Sequence, residues 1–211
     1  MKLYGYFRSS AAYRVRIALN LKGLAYDNAF VHLRKGEQSS AEFRRLNPQG
    51  LVPTLEDGPA VLTQSLAILE YLDETRPAPP FLPHSPVDRA RVRALALITA
   101  CDIHPLNNLR VLIYLEKNLQ QSKAARDAWY CHWIAEGFRS METMLGDGKA
   151  GRFCHGDALT LADICLVPQV ANAQRFNCPL DDYPRIMRIH DECMKLPAFV
   201  AARPENQPDA E

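Results

Sequence analysis

The chain has 211 residues, 47% of them apolar, which is enough for one large domain or two small ones with buried cores. Its 25 basic and 24 acidic side chains leave a formal net charge of +1, so there is no global field for nucleic acid or an anionic membrane, and small-molecule chemistry is favoured. Apolar runs are short and interrupted by charge, and the opening Met1-Lys2-Leu3-Tyr4-Gly5-Tyr6 has no export pattern; a soluble, cytoplasmic protein is expected.

Residues 2–7 read as a strand, and residues 11–22 as a helix with Val15, Ala18, Leu19 and Lys22 at helical spacing and Gly23 as its stop. Between them stands Phe7-Arg8-Ser9-Ser10. A helix start leaves N–H groups unpaired at the positive end of the dipole, so a cation and two hydroxyls placed there can hold an anion such as a thiolate. The same serines are equally explained as ordinary N-caps. Residues 25–32 form a second strand, and Ser39-Ser40-Ala41-Glu42 has the form of a capping box for a short helix ending near Asn47-Pro48. Residues 51–56 and 60–63 are antiparallel strands joined by Asp57-Gly58, a strong hairpin signal. A helix over residues 65–75 turns Leu66, Ile68, Leu69 and Leu72 inward and completes an α/β unit of order βαβαββα.

Five prolines between Pro77 and Pro86 mark a linker, giving expected boundaries of 1–76 for the first domain, 77–87 for the linker and 88–211 for the second domain. The second domain reads as all helix, over residues 88–115, 123–145, 161–176 and 183–196. Thr160 with Asp163 three residues on is a helix-start signal whose role is folding. The glycine-rich run from Gly146 to Gly151 lacks the spacing and preceding strand of a phosphate loop and reads as a connection between helices; residues 204–211 read as a loose tail. Six cysteines, Cys101, Cys131, Cys154, Cys165, Cys178 and Cys193, form no C-x-x-C pair and read as reduced, mostly buried side chains. The six histidines have no zinc spacing, and no metal is expected.

Pro53 stands where a strand should pair, although proline removes a ladder donor. In this element order, Val52-Pro53 before the third strand resembles the thioredoxin-like unit of the glutathione transferases, in which that proline is cis and the preceding residue pairs through its backbone with the cysteinyl part of glutathione. Gln64-Ser65 suits the same ligand, because a γ-glutamyl carboxylate takes N–H groups and a hydroxyl at a helix start. The run from Phe7 to Leu19 is similar to the zeta-class signature R-S-S-C-x-[WY]-R-V-R-I-A-L of the maleylacetoacetate and maleylpyruvate isomerases. The runs from Asn47 to Leu55 and from Cys101 to Arg110 also resemble its bacterial members. One clear departure is Ala11, where the family pattern usually has cysteine; any contribution of that sulfur is absent.

The resemblance implies a glutathione transferase fold: an N-terminal thioredoxin-like α/β domain followed by an all-α helical bundle, with glutathione as cofactor. It implies that Ser9, Ser10, Ala11, Tyr13 and Arg14 lie at the first turn with Ser9 next to the sulfur, and that Gln38, Gln49, Val52, Gln64 and Ser65 hold the peptide. It adds His104, Asn108, Leu109 and Arg110 near thiol and substrate, with Asp102 reaching a neighbouring subunit's ligand in a homodimer. The implied activity is glutathione-dependent cis–trans isomerisation of maleylacetoacetate in tyrosine degradation, without nucleic acid, membrane or metal. Ser9, Ser10 and the helix N–H groups would lower the thiol pKa, while Arg8, Arg110 and Arg175 would bind carboxylate and developing enolate. Three alternatives stay open: a maleylpyruvate isomerase, a transferase that conjugates or dehalogenates small electrophiles, and a docking module with a degraded site.

Overall fold

The Asp57-Gly58 pair makes the turn that its residue types favour: Gly58 takes φ +58°, where a side chain is strained, and β3 (Thr54–Asp57) folds back on β4 (Ala60–Thr63) with Leu55 opposite Leu62. In the computed structural model, which describes residues 1–211, β1 (Lys2–Gly5) pairs antiparallel with β3 and parallel with β2 (Asp27–Phe30), giving the order β2-β1-β3-β4. A parallel pair needs a crossover, and α1 (Ser10–Leu21) supplies it. With α2 (Ala41–Leu46) and α3 (Ser65–Thr75) the order is the predicted βαβαββα. Gly5 lets α1 approach the sheet, since a Cβ there would sit 3.4 Å from that of Ala12.

The chain divides into two compact units, Met1–Pro80 with Met194–Glu211, and Phe81–Cys193. The last 18 residues therefore belong with the α/β unit, whereas the sequence assigned them to the helical one. Helix α1 is buried from Ser10 to Leu19, more than a single stripe, because α3 and α9 (Pro197–Ala202) both pack on it. The joints are side chains donating to α9 carbonyls: Asn20 Nδ2 to Ala198 O at 3.0 Å, Arg16 Nε to Ala202 O at 3.0 Å and Tyr13 Oη to Phe199 O at 3.4 Å. The tail expected to be loose is also fastened. Asp209 Oδ2 accepts the Phe7 N–H at 3.0 Å, Gln207 Nε2 donates to the Ala201 and Arg203 carbonyls, and Glu211 pairs with His32.

In the second unit, α5 (Leu109–Lys117) lies on α6 (Lys123–Met144), while α4 (Pro86–Leu97) and α8 (Pro184–Cys193) pack on α7 (Leu161–Arg175), which is buried without a break from Leu161 to Val170. Asp163 starts α7 as foreseen: Oδ2 accepts from the Thr160 N–H at 2.8 Å and its hydroxyl at 2.9 Å, and Oδ1 accepts from the Cys154 N–H at 2.8 Å. The single helix expected over 88–115 is broken. After α4 the backbone widens into a π-helical stretch, Ile98–Ile103, with the His104 N–H reaching Thr99 O at 3.1 Å, and Pro105 cannot donate onward. Asn108 then caps α5, its Oδ1 accepting from the Arg110 N–H at 3.1 Å.

Two cysteines also correct the sequence reading. Cys131 and Cys178, 47 residues apart, are joined in a disulfide, while Cys101 is exposed and Cys154, Cys165 and Cys193 are buried and free. No helix is long and apolar enough to cross a membrane.

Candidate active site

The turn between β1 and α1 is shaped by a backbone bond and a cap. The Ser9 N–H donates to Tyr6 O at 2.9 Å, and Ser9 Oγ accepts from the Ala12 N–H at 3.2 Å. Ser9 is thus the N-cap, half-exposed, with Ser10 buried behind it, and the first turn of α1 holds no acidic residue. The dipole and the remaining N–H groups are left for an external anion. Arg8 lies beside the turn with its guanidinium over the Phe7 ring at 4.8 Å, and Ala11 is buried, as is Tyr13.

Arg16, which the sequence reading passed over, braces this turn. Its Nη2 donates to Phe7 O at 3.1 Å and its Nε to Ala202 O, so one buried guanidinium ties the loop before Ser9 to the end of α9. Burial pulls it down to about 10, which leaves it charged at neutral pH. The only sequence signal was a second arginine two residues after Arg14 on a helix that buries nearly every side chain.

The peptide-binding candidates of the first unit form one connected patch. Arg14 Nη1 donates to Ser65 Oγ at 3.3 Å, and Gln64 Nε2 donates to Gln49 Oε1 at 2.8 Å. A Cβ on Gly50 would lie 3.0 Å from the Gln38 carbonyl, so Gln38 adjoins the same loop. Asn47 builds that loop, donating from Nδ2 to Leu51 O at 2.7 Å and accepting the Gln49 N–H at 3.0 Å, a role that the sequence pattern around it does not disclose. Val52-Pro53 is cis, as the resemblance implied. Gln64 has φ +68°, a left-handed conformation that costs a non-glycine residue on the order of 1 kcal/mol or more and clusters at functional sites. Gln38 Oε1 is buried without a partner in the chain. A tripeptide with amide N–H donors, a carboxylate and a thiolate matches this set: an unpaired acceptor, a hydroxyl at the start of α3 and the N–H groups of two helix starts.

The candidates of the second unit lie around the helix break. Asp102 is exposed on the π-helical stretch, His104 is half-buried at its end, Asn108 is the cap of α5, and Leu109 and Arg110 open that helix with Arg110 exposed. Arg175 closes α7, its Nη2 donating to Asn172 Oδ1 at 3.2 Å and its guanidinium over the Phe176 ring at 5.1 Å.

Known proteins with this arrangement are close in sequence over their whole length. Residues 1–74 match the family model for the glutathione S-transferase N-terminal domain and residues 105–201 that for a glutathione S-transferase C-terminal domain. A probable maleylacetoacetate isomerase from Vibrio cholerae is 54% identical over 210 residues, covering 99% of this chain and 97% of that one. A holo structure of maleyl pyruvate isomerase, described as a bacterial glutathione S-transferase in the zeta class, is 50% identical with a TM-score of 0.98 and full coverage of both chains. The maleylacetoacetate isomerase of Methylobacterium extorquens AM1, solved with bound malonate and glutathione, is 44% identical with a TM-score of 0.97, again over both full chains. The chain belongs to the glutathione S-transferase family and, within it, to the zeta class.

Proposed function

We propose that the chain is a glutathione-dependent cis–trans isomerase that converts maleylacetoacetate to fumarylacetoacetate. The observation that carries this reading is the start of α1: a serine cap, a buried second serine and no carboxylate in the first turn, which together favour an ionised thiol. Glutathione, when bound, supplies a thiolate able to add reversibly to the conjugated carbon of a cis enone, so that rotation occurs about what becomes a single bond. Ser9 and the N–H groups of α1 hold that negative charge. Arg14, Gln38, Gln49, Val52, Gln64 and Ser65 orient the peptide, with Ser10, Ala11 and Tyr13 forming the wall of the first turn. Arg8, Arg110 and Arg175 take the substrate carboxylate and the charge that develops on its carbonyl oxygen, a task suited to the guanidinium fork. His104, Asn108 and Leu109 line the approach to the thiol, and Asp102 reaches the ligand of a second subunit in a cytoplasmic homodimer serving tyrosine degradation.

Maleylpyruvate shares the reacting enone and the carboxylate, and the maleyl pyruvate isomerase of the same class supports it as the second candidate substrate. The test follows the ultraviolet absorbance of each cis substrate with and without glutathione, beside a chloro-nitro aromatic as a probe of conjugation. Turnover of maleylacetoacetate that requires glutathione and exceeds the aromatic rate is the expected result. A full rate after glutathione is dialysed away, or turnover of the aromatic alone, overturns the reading.

A further inference from the structure

One turn of α6, Trp129-Tyr130-Cys131, is attached to the segments that carry Arg110 and Arg175, the helical unit's two candidate carboxylate-binding arginines. Trp129 Nε1 donates to Leu106 O at 2.9 Å, and Asn107 Nδ2 donates to Tyr130 O at 2.9 Å. Those two bonds hold residues 106 and 107, immediately before the Asn108 cap that starts α5 at Arg110. On the other side the Tyr130 ring stacks on Phe176, centroids 3.6 Å apart and planes 11° from parallel, and the next residue, Cys131, is bonded to Cys178. Arg175 rests on that same Phe176 ring. The segment 175–178 is otherwise held by bonds back into the end of α7: Arg175 Nη2 donates to Asn172 Oδ1 at 3.2 Å, and the N–H groups of Phe176, Asn177 and Cys178 reach Asn172 O, Gln174 O and Ala173 O at 3.1, 3.1 and 2.9 Å, with Asn177 turning at φ +53°.

We propose that this turn of α6 is the positioning platform for Arg110 and Arg175, and that the Cys131–Cys178 disulfide is its reducible half, so that the thiol state of the pair sets how tightly the enzyme holds a dicarboxylate substrate. The inference rests on the isomerase reading for the role of the two arginines. Cys131 is half-buried and Cys178 is 7% exposed, so attack falls on the Cys131 sulfur. A thiolate such as that of glutathione or dithiothreitol bonds to Cys131 Sγ, the S–S bond breaks, and Cys178 leaves as thiolate and takes up a proton. A second thiol displaces the first from Cys131, leaving two cysteines and one oxidised reductant. The aromatic stack and the two backbone bonds persist, so the arginine segment loosens rather than unfolds.

The experiment uses the full chain purified without reductant, with malonate as dicarboxylate probe. Thiol titration after denaturation should count the four free cysteines before reduction and all six after it. Reduction should weaken malonate binding, measured by calorimetry with glutathione present, about 3- to 10-fold and raise KM for the maleyl substrate by a similar factor, while glutathione affinity stays constant. The Cys131→Ser/Cys178→Ser double variant should match the reduced protein and ignore reductant. Phe176→Leu, which removes the stack, should raise KM with glutathione affinity unchanged, and Phe176→Tyr should restore it. Six thiols before reduction, no malonate binding in the oxidised protein, or equal malonate affinity in both states overturns the proposal. Loss of malonate affinity on reduction in a protein with no maleyl turnover upholds it and overturns the isomerase reading instead.

Discussion

Arg14 and Ser65 meet at 3.3 Å, guanidinium to hydroxyl, both buried, and so couple the first turn of α1 to the first turn of α3. These are the two helix starts that the glutathione reading needs, one for the thiolate and one for the γ-glutamyl carboxylate, and α1 and α3 pack on each other with this bond between them. Ser65→Ala removes a hydroxyl offered to the ligand and the acceptor for Arg14 Nη1. The expected result is glutathione affinity weaker by about tenfold and a stability loss of about 1 kcal/mol from the lost hydrogen bond. Calorimetry and urea denaturation measure the two separately. Unchanged affinity alongside lost stability would assign Ser65 to folding alone.

Ser9 caps α1 and is also the residue placed next to the sulfur, and two substitutions separate the roles. Asparagine is as good a cap as serine but has no hydroxyl; alanine supplies neither. Ser9→Asn should keep the melting temperature of the parent and raise the pKa of the bound thiol, read from thiolate absorbance against pH. Ser9→Ala should raise the pKa likewise and lose about 1 kcal/mol of stability. An asparagine variant with the parent's thiol pKa and turnover reduces Ser9 to a cap.

What the sequence made legible is what a local pattern encodes. The Ser9 and Thr160/Asp163 caps, the Asp57-Gly58 hairpin and α3 over Ser65–Thr75 are set by residues within a few positions of one another, and each stands as expected, whereas α2 is capped one residue later than its Ser39–Glu42 pattern implied, by Ser40 accepting from the Phe43 N–H at 3.1 Å. The misses depend on partners far away in the chain. Cys131 finds Cys178 only because α6 packs beside the end of α7, and α9 joins the first unit through side chains donating to its carbonyls, which leave no periodicity. The break after Ile103 had a local cause, Pro105 followed by Asn107-Asn108, but apolar spacing on either side of it read as one helix. In the site, the motif residues Arg14, Gln49, Gln64 and Ser65 could be named from the sequence, whereas the roles of Arg16 and Asn47, which shape the backbone under them, could not.

The C-terminal tail offers a direct check on that long-range part. Asp209 accepts the N–H of Phe7, two residues before Ser9, and Phe7 is 4% exposed, so the donor has no water to turn to. Asp209→Ala should cost about 1 kcal/mol, a fall in melting temperature of roughly 2–4 °C for a chain of this size. Asp209→Asn, which keeps an acceptor oxygen, should recover most of it. Scanning calorimetry of the three proteins decides the matter, and identical melting temperatures would mean that the tail is not held there.

Asp163 gives the prediction with a pH sign. Its carboxylate is fully buried and takes the Thr160 N–H, the Thr160 hydroxyl and the Cys154 N–H. Burial raises its pKa above the usual aspartate value of 3.8, and the hydrogen bonds only partly oppose that shift. A carboxyl that binds its proton more tightly folded than unfolded makes stability fall as pH rises from the unfolded pKa through the folded one. Asparagine cannot titrate, and its amide would point a donor at donors. Asp163→Asn should therefore cost about 2–4 kcal/mol at neutral pH, and its deficit against the parent should be larger at the acid end of that window, where the parent still carries the proton. Urea midpoints across the acid range, with glutathione affinity of the folded variant as control, test both parts. A deficit that grows as pH rises through the window would show that the three bonds outweigh burial and hold the carboxyl below its ordinary pKa.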